Sequence, residues 1–438
     1  MVSTCAGSLP FGFPPRPDDV PSPTPAAAPA RPAPTSAPPS APDGFLHAVR
    51  GFSAFGTATR ELHEAGIPYL VNEFWTAGQR RAHSLHEISY RACFKPQLPE
   101  FFIGRLTEPG DPVYDPFMGR GTTPVQAALM GRKPMGNDVN PLSVLLARPR
   151  LAPPGTEQVA RRLREVPWNA GEIEREDLLA FYHPGTLRHL CALRRWLLDR
   201  APLDRTAPDP VDDWIRMVAL NRLTGHSPGF FSVYTLPPNQ AVSVEAQRKI
   251  NAARAQVPPP RDVAAVILKK TRSLLRDAPP PAHPPALLGA GPAGATPYIR
   301  DGAVALVVTS PPFLDTVQYA ADNWLRCWFA GIAADAVALG MHRTETAWTA
   351  MIRDVLAEQA RLLRPGGHVA FEVGEVRGGK VLLERLVWAA AEGLPFERLA
   401  VLVNRQHFTK TAHCWGVSNN AAGTNTNRIV LLRRVAPA

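Results

Sequence analysis

Asp115-Pro116-Phe117-Met118-Gly119-Arg120-Gly121-Thr122-Thr123 is the stretch on which the reading of this chain turns. Residues 111–115 ahead of it have the make-up of a short strand. Residues 123–130 behind it carry helical spacing, Gly131 is a helix stop, and 134–138 read as the next short strand. The sum is a β-α-β unit, and such alternation predicts an α/β fold. Glycines at a strand-to-helix turn let backbone pass close to a ligand, and the first N–H groups of the helix are free to bind one. In doubly wound sheets ligands sit at this edge, beyond the carboxyl ends of the strands. Asn137-Asp138 closes the second strand, where an acidic side chain can accept hydrogen bonds from ribose hydroxyls. The chain has no G-x-x-x-x-G-K-[ST], which argues for an adenosine ligand over a phosphate loop.

A second motif lies far downstream. Ser310-Pro311-Pro312-Phe313 follows the apolar run Ala303-Val304-Ala305-Leu306-Val307-Val308. Together the two motifs resemble the signature pair of the amino-methyltransferases that methylate exocyclic nitrogens of DNA bases. The resemblance implies a doubly wound, Rossmann-like class I methyltransferase sheet with S-adenosylmethionine as cofactor. It places Asp115, Phe117, Gly119, Gly121, Thr122, Asn137 and Asp138 at that cofactor. Upstream, Phe94-Lys95-Pro96-Gln97-Leu98-Pro99 is similar to the segment that caps the methionine end of the cofactor in many of these enzymes, which adds Lys95.

The chemistry explains the second motif. An exocyclic amine is a poor nucleophile because its lone pair is delocalised into the ring. Accepting hydrogen bonds from its protons localises that pair, so the site needs acceptors held in place near the methyl donor. Ser310 offers a hydroxyl and Pro311 a carbonyl. Pro311 and Pro312 remove N–H donors and stiffen the loop. Phe313 offers a flat face for a base flipped out of double-stranded DNA. In the family the first residue is commonly Asp or Asn for adenine-N6 enzymes and Ser for cytosine-N4 enzymes, so Ser310 points to cytosine N4. Adenine N6 and an RNA base amine are the alternatives.

Other stretches fit the family. Leu363-Arg364-Pro365-Gly366-Gly367-His368-Val369 resembles the turn before the fifth strand of many class I methyltransferases, and Asn425-Thr426-Asn427-Arg428-Ile429-Val430 resembles the last strand. One departs from it. The Gly-Asp pair often found before the S-P-P-F strand is replaced by Gly289-Ala290-Gly291-Pro292-Ala293-Gly294, without the acid expected to hold the adenine amine.

The 438 residues allow two or three modules. Residues 1–43 are rich in Pro, Ala and Ser and read as a disordered arm. Residues 44–150 form the first, cofactor-binding part of the methyltransferase domain, with mixed helical spacing and aromatics over 45–88. Residues 151–300 read as a mainly helical insert and candidate target-recognition region, with helices at 159–166, 187–198, 212–223 and 261–276. Residues 301–438 return to strand–helix alternation and carry the catalytic loop. Within the insert, the basic helix 261–276 and residues 240–249 are candidates for phosphate contact. Tyr319, Trp324 and Trp328 read as core and pocket wall.

A formal net charge of +10 favours a polyanionic partner, which the resemblance makes DNA, with a cognate restriction endonuclease as a further partner. Five cysteines, odd in number and without a C-x-x-C, argue against disulfides and against a structural metal site. No apolar run is long enough to span a membrane, and the first residues do not read as a secretory signal, so a cytoplasmic, nucleoid-associated setting is expected.

Overall fold

Each strand of the central sheet is buried because helices cover both of its faces. In the computed structural model, residues 44–75, 82–91, 93–203, 209–235, 241–314, 319–334, 337, 342–377, 379–405 and 426–436 are described. The expected arm at 1–43 lies outside them. The chain opens with α1 (Gly44–Arg50), the hairpin β1 (Arg60–Glu64) and β2 (Ile67–Asn72), and α2 (Gln97–Leu106). The β-α-β unit follows as β3 (Pro112–Asp115), α3 (Thr122–Leu129) and β4 (Lys133–Asp138), then α4 (Leu142–Ala147). Next come α5 (Thr156–Leu163), α6 (Pro184–Arg200), α7 (Pro210–Arg222), α8 (Val244–Ala253) and α9 (Val263–Leu274). The sheet resumes with β5 (Leu287–Ala290) and β6 (Val304–Thr309), then α10 (Tyr319–Ala330), α11 (Glu345–Leu362) and β7 (Leu363–Val373). A short pair, β8 (Glu375–Val376) and β9 (Val381–Leu382), leads to α12 (Leu383–Ala390), β10 (Phe396–Arg405) and β11 (Thr426–Arg434).

The nine-stranded sheet runs β1-β2-β10-β11-β7-β6-β3-β4-β5. From β3 the chain winds outward through β4 to β5, then crosses back to lay β6 on the other side of β3. These strands and β7 are parallel, and β11 runs antiparallel to both β7 and β10. The fold is a doubly wound, Rossmann-like class I methyltransferase sheet. Its reversal of winding falls between β3 and β6, so the chain leaving β3 (the glycine turn) and the chain leaving β6 (Ser310–Phe313) open side by side.

Sequence explains the layering. All six residues of β6 are buried, as a parallel strand covered on both faces requires. Val307 faces α11 and α12 through a core that includes Trp348, Ile352 and Val387. Leu306 and Val308 face α1 and α2 through Phe45, Phe101 and Phe102. A third core joins α3 and α4 to the helices between β4 and β5 and to α10, through Val125, Leu142, Trp214, Ile267 and Phe329.

Three expectations need correction. Helical spacing over 45–88 holds only for α1; Ala65 and Gly66, at φ 51° and 75°, then turn a hairpin whose outer strand is wholly exposed. That hairpin extends the sheet, because β2 pairs in parallel with β10. The sheet also resumes at Leu287 rather than after residue 300, since β5 pairs with β4 at Asn137↔Gly289. No helix among the described residues is long and apolar enough to cross a membrane.

Candidate active site

The glycine turn is built by backbone geometry and two carboxylates. Gly119 and Gly121 both have positive φ, 50° and 79°, which glycine alone adopts readily. A Cβ on Gly121 would lie 2.6 Å from the Cβ of Ala147, so the turn also needs glycine to sit against α4. A Cβ on Gly119 would instead meet Cys93 and Tyr90 at 3.6–3.8 Å, on the side that residues 88–95 cover.

Asp138 shapes this turn. Its Oδ2 accepts the Gly119 N–H at 2.8 Å and its Oδ1 accepts the Asn140 N–H at 2.9 Å. The carboxylate is only half-buried and keeps lone pairs for further donors. Burial raises its pKa above the ordinary range, against the pull of these bonds.

Several residues expected at the cofactor lie beneath the turn rather than on it. Asp115 is buried, and its Oδ1 accepts from the Phe117 N–H at 3.0 Å and the Thr309 hydroxyl at 2.6 Å. Burial pushes its pKa up to about 7. Asn137 is fully buried, with its amide donating to the Gly291 carbonyl at 2.8 Å and accepting from the Tyr298 hydroxyl at 2.8 Å. It anchors the chain leaving β5, which residues 287–300 supply without a single acid. The Thr122 hydroxyl accepts from Arg120 Nε at 3.2 Å, and the neighbouring Thr123 hydroxyl donates to the Val308 carbonyl at 3.0 Å. Phe117 is half-buried against the α11–α12 core, which Phe313 also touches. Lys95 is half-buried, its pKa lowered by burial and by the charge of Arg120.

At the end of β6, Ser310 is half-buried and Pro311 buried. The Ser310 hydroxyl is hydrogen-bonded to Glu372 on β7. Glu372 is 7% exposed and also accepts from Asn427 of β11 at 2.9 Å. Burial raises its pKa, and the bonds from Ser310 and Asn427 oppose that rise. The Pro312 carbonyl accepts the Trp348 indole N–H at 2.9 Å, which moors the loop to α11. Glu372, Asn427 and Trp348 carry no local motif. Strand and helix packing brings them to Ser310, so sequence reasoning passed over them.

The two basic candidates in the insert part company. On α9, Lys270 lies 3.7 Å and Arg276 2.8 Å from Glu87, so these cations hold residues 84–87 instead of facing outward. On α8, Arg248 and Lys249 are exposed, Lys249 beside Glu245 at 2.7 Å. Arg254 at the end of α8 stacks on Tyr234 at 3.9 Å. Gln240 lies outside the described residues. The start of this stretch is tied to α10: the Ala241 N–H donates to the Asp322 carbonyl at 3.0 Å, and Trp324 Nε1 to the Val242 carbonyl at 3.2 Å.

Comparison with known proteins adds the family. Residues 63–148 match the family described as DNA methylase. The type II methyltransferase M.MjaII of Methanocaldococcus jannaschii is 42% identical over 72 residues, 16% of this chain and 13% of that protein. The type II methyltransferase M.MvaI of Kocuria varians is 31% identical over 103 residues, 23% of this chain and 21% of that protein. The chain thus spans about a fifth or less of the length of these curated relatives. Among solved structures, TrmN from Thermus thermophilus is 12% identical, with 82% of this chain and 53% of that chain covered and a TM-score of 0.32. Through the segment that carries its glycine turn, the chain is a member of the DNA amino-methyltransferase family.

Proposed function

We propose that this protein transfers a methyl group from S-adenosylmethionine to the exocyclic N4 of cytosine in DNA. The observation that carries the reading is Ser310, set at the winding reversal beside the glycine turn and backed by buried Glu372.

The turn fits the cofactor. Gly119 presents bare backbone toward Tyr90 and Cys93, a space a Cβ would fill. Asp138 keeps acceptor capacity after binding two N–H groups, which suits ribose hydroxyls. Gly119, Asp138 and Lys95 are the residues assigned to hold it, with Asp115, Asn137 and Thr122 supporting them from below. When bound, the sulfonium group supplies a methyl carbon to an attacking amine and leaves with the electron pair of its S–C bond.

Ser310 acts on the amine. Its hydroxyl hydrogen is committed to Glu372, so its oxygen lone pairs are free to accept from the amine. The Pro311 carbonyl supplies the second acceptor, and the Trp348 bond to Pro312 fixes the loop that aims both. Once the N–C bond forms, the amine nitrogen is positive and must lose a proton. Ser310 can take it while its own passes to Glu372, whose pKa burial has raised toward that role. Phe313, half-buried, offers a ring for stacking a flipped base. The exposed cations of α8, tied to the helix that follows the catalytic loop, are assigned to DNA phosphates.

The test is expression in a methylation-free host, followed by sequencing that separates N4-methylcytosine from N6-methyladenine. N4-methylcytosine absent from the Ser310→Ala/Phe313→Ala double variant is the expected result. N6-methyladenine would overturn the cytosine assignment, and methylated RNA with unmodified DNA would overturn the DNA assignment.

A further inference from the structure

Two arginines are buried beneath the glycine turn with no carboxylate against them. Arg120 is 6% exposed and Arg150 fully buried. Besides Thr122, Arg120 donates to the carbonyls of Ile88 at 2.8 Å, His86 at 3.4 Å and Phe94 at 3.5 Å. Arg150 donates to the carbonyls of Leu146 at 2.8 Å and Leu85 at 3.0 Å, and to that of Arg120 itself. Every partner is neutral.

Buried cations are ordinarily paired, because desolvating an isolated charge is costly. Here the charges oppose each other: burial first, and then Arg120, bring the Arg150 pKa down to about 9. Burial and the same two arginines keep the His86 pKa well below its ordinary value. The acids of the turn are engaged elsewhere, Asp115 with Thr309 and Asp138 with Gly119 and Asn140. The N-terminal end of α3 adds partial charge of the same sign. The surroundings of the turn therefore hold an uncompensated positive field.

The arginines also fasten the segment that covers the turn. Residues 84–91 are gripped from the insert side by α9, where Ser84 Oγ donates to the Leu274 carbonyl at 2.8 Å, and by Asn221 and Arg326, which both reach the Ser89 carbonyl at 3.1 Å. Arg120 closes the remaining side.

An anion would relieve this field, and the one anionic group of S-adenosylmethionine is its carboxylate. Resting on the cofactor reading above, we propose that Arg120, backed by Arg150, is a positioning residue that holds residues 86–94 on the turn and selects the carboxylate end of the cofactor.

The test is calorimetric binding to the full chain of two probes, S-adenosylmethionine and its decarboxylated analogue, which keeps the sulfonium, amine and adenosine. The wild-type protein should prefer the carboxylate-bearing probe at least tenfold. Arg120→Gln should reduce that preference at least fivefold, with binding of the decarboxylated probe changed less than twofold, and Arg120→Lys should recover part of it. Equal weakening of both probes in Arg120→Gln would mean a purely structural role and overturn the proposal. Equal wild-type affinity for the two probes would overturn it without any variant, so a misfolded Arg120→Gln leaves the question decidable. Wild-type protein that binds neither probe would overturn the cofactor reading itself, a result distinct from the others.

Discussion

The hydroxyl of Thr309, the last residue of β6, donates across 2.6 Å to the carboxylate of Asp115, the last residue of β3. This bond joins the strand that leads into the glycine turn to the strand that leads into the catalytic loop. It has a pH signature. Burial raises the folded Asp115 pKa to about 7, above its unfolded value near 4. Between those values the native protein binds more protons than the unfolded chain, so this group's contribution falls as pH rises through that window. The full effect is at most about 4 kcal/mol. Urea unfolding at pH 5 and pH 8 should show Asp115→Asn losing less stability over that interval than wild type. An unchanged pH slope would remove Asp115 as its source.

Glu372 should affect turnover without affecting cofactor binding. Glu372→Gln keeps size and one acceptor oxygen but cannot carry the proton that Ser310 passes on. A fall of roughly 10²-fold in kcat is expected, within the usual range for a proton-transfer group. The affinity for S-adenosylmethionine should stay within about twofold of wild type, since Glu372 lies on the Ser310 side of the reversal. A loss of affinity with kcat preserved would contradict the relay.

Trp348 tests whether the loop must be moored. Trp348→Phe keeps a ring in the α11 core but deletes the N–H that reaches the Pro312 carbonyl at 2.9 Å. The lost bond and the smaller ring should cost about 1–3 kcal/mol of stability. Single-turnover methyl transfer should slow about tenfold as Ser310 and the Pro311 carbonyl lose their fixed aim. A variant destabilised to this extent but fully active would show that Trp348 serves the core alone.

What could be read from the sequence depended on locality. β6 was legible because an apolar run ends in a proline pair, and the β3–α3–β4 unit because glycines separate two periodic segments. The β1 strand was not, since Arg60-Glu61-Leu62-His63-Glu64 is solvated on both faces and lacks apolar alternation. β5 is four half-covered residues at the sheet edge within a Gly- and Pro-rich stretch. At the site, Ser310 was legible from its tetrapeptide. Glu372 was not: it meets Ser310 only because β7 lies beside β6, and Asn427 only because β11 lies beside β7. Arg120, inside the most legible motif, has the appearance of a solvated residue; its burial is a property of the covering segment, not of the turn. The basic pattern of α9 misled for the same reason, because Glu87 neutralises it from a distant part of the chain.

The two glycines of the turn should fail in different ways when each becomes alanine. At Gly121 the new methyl would meet the Ala147 Cβ at 2.6 Å and its Cα at 3.2 Å, with φ at 79°. Strain of about 1–2 kcal/mol adds to overpacking of about 1–3 kcal/mol, so Gly121→Ala should lose roughly 2–5 kcal/mol. At Gly119 the nearest atoms are 3.6 Å or more away, ordinary contact distances, and only the backbone strain remains. Gly119→Ala should therefore lose about 1–2 kcal/mol, yet its methyl projects into the space beside Tyr90 and Cys93 assigned to the cofactor. Affinity for S-adenosylmethionine should fall at least tenfold in Gly119→Ala. Denaturant unfolding and calorimetric binding on both variants separate the two effects. If Gly119→Ala bound the cofactor as wild type does, the ligand would have to lie on another side of the turn.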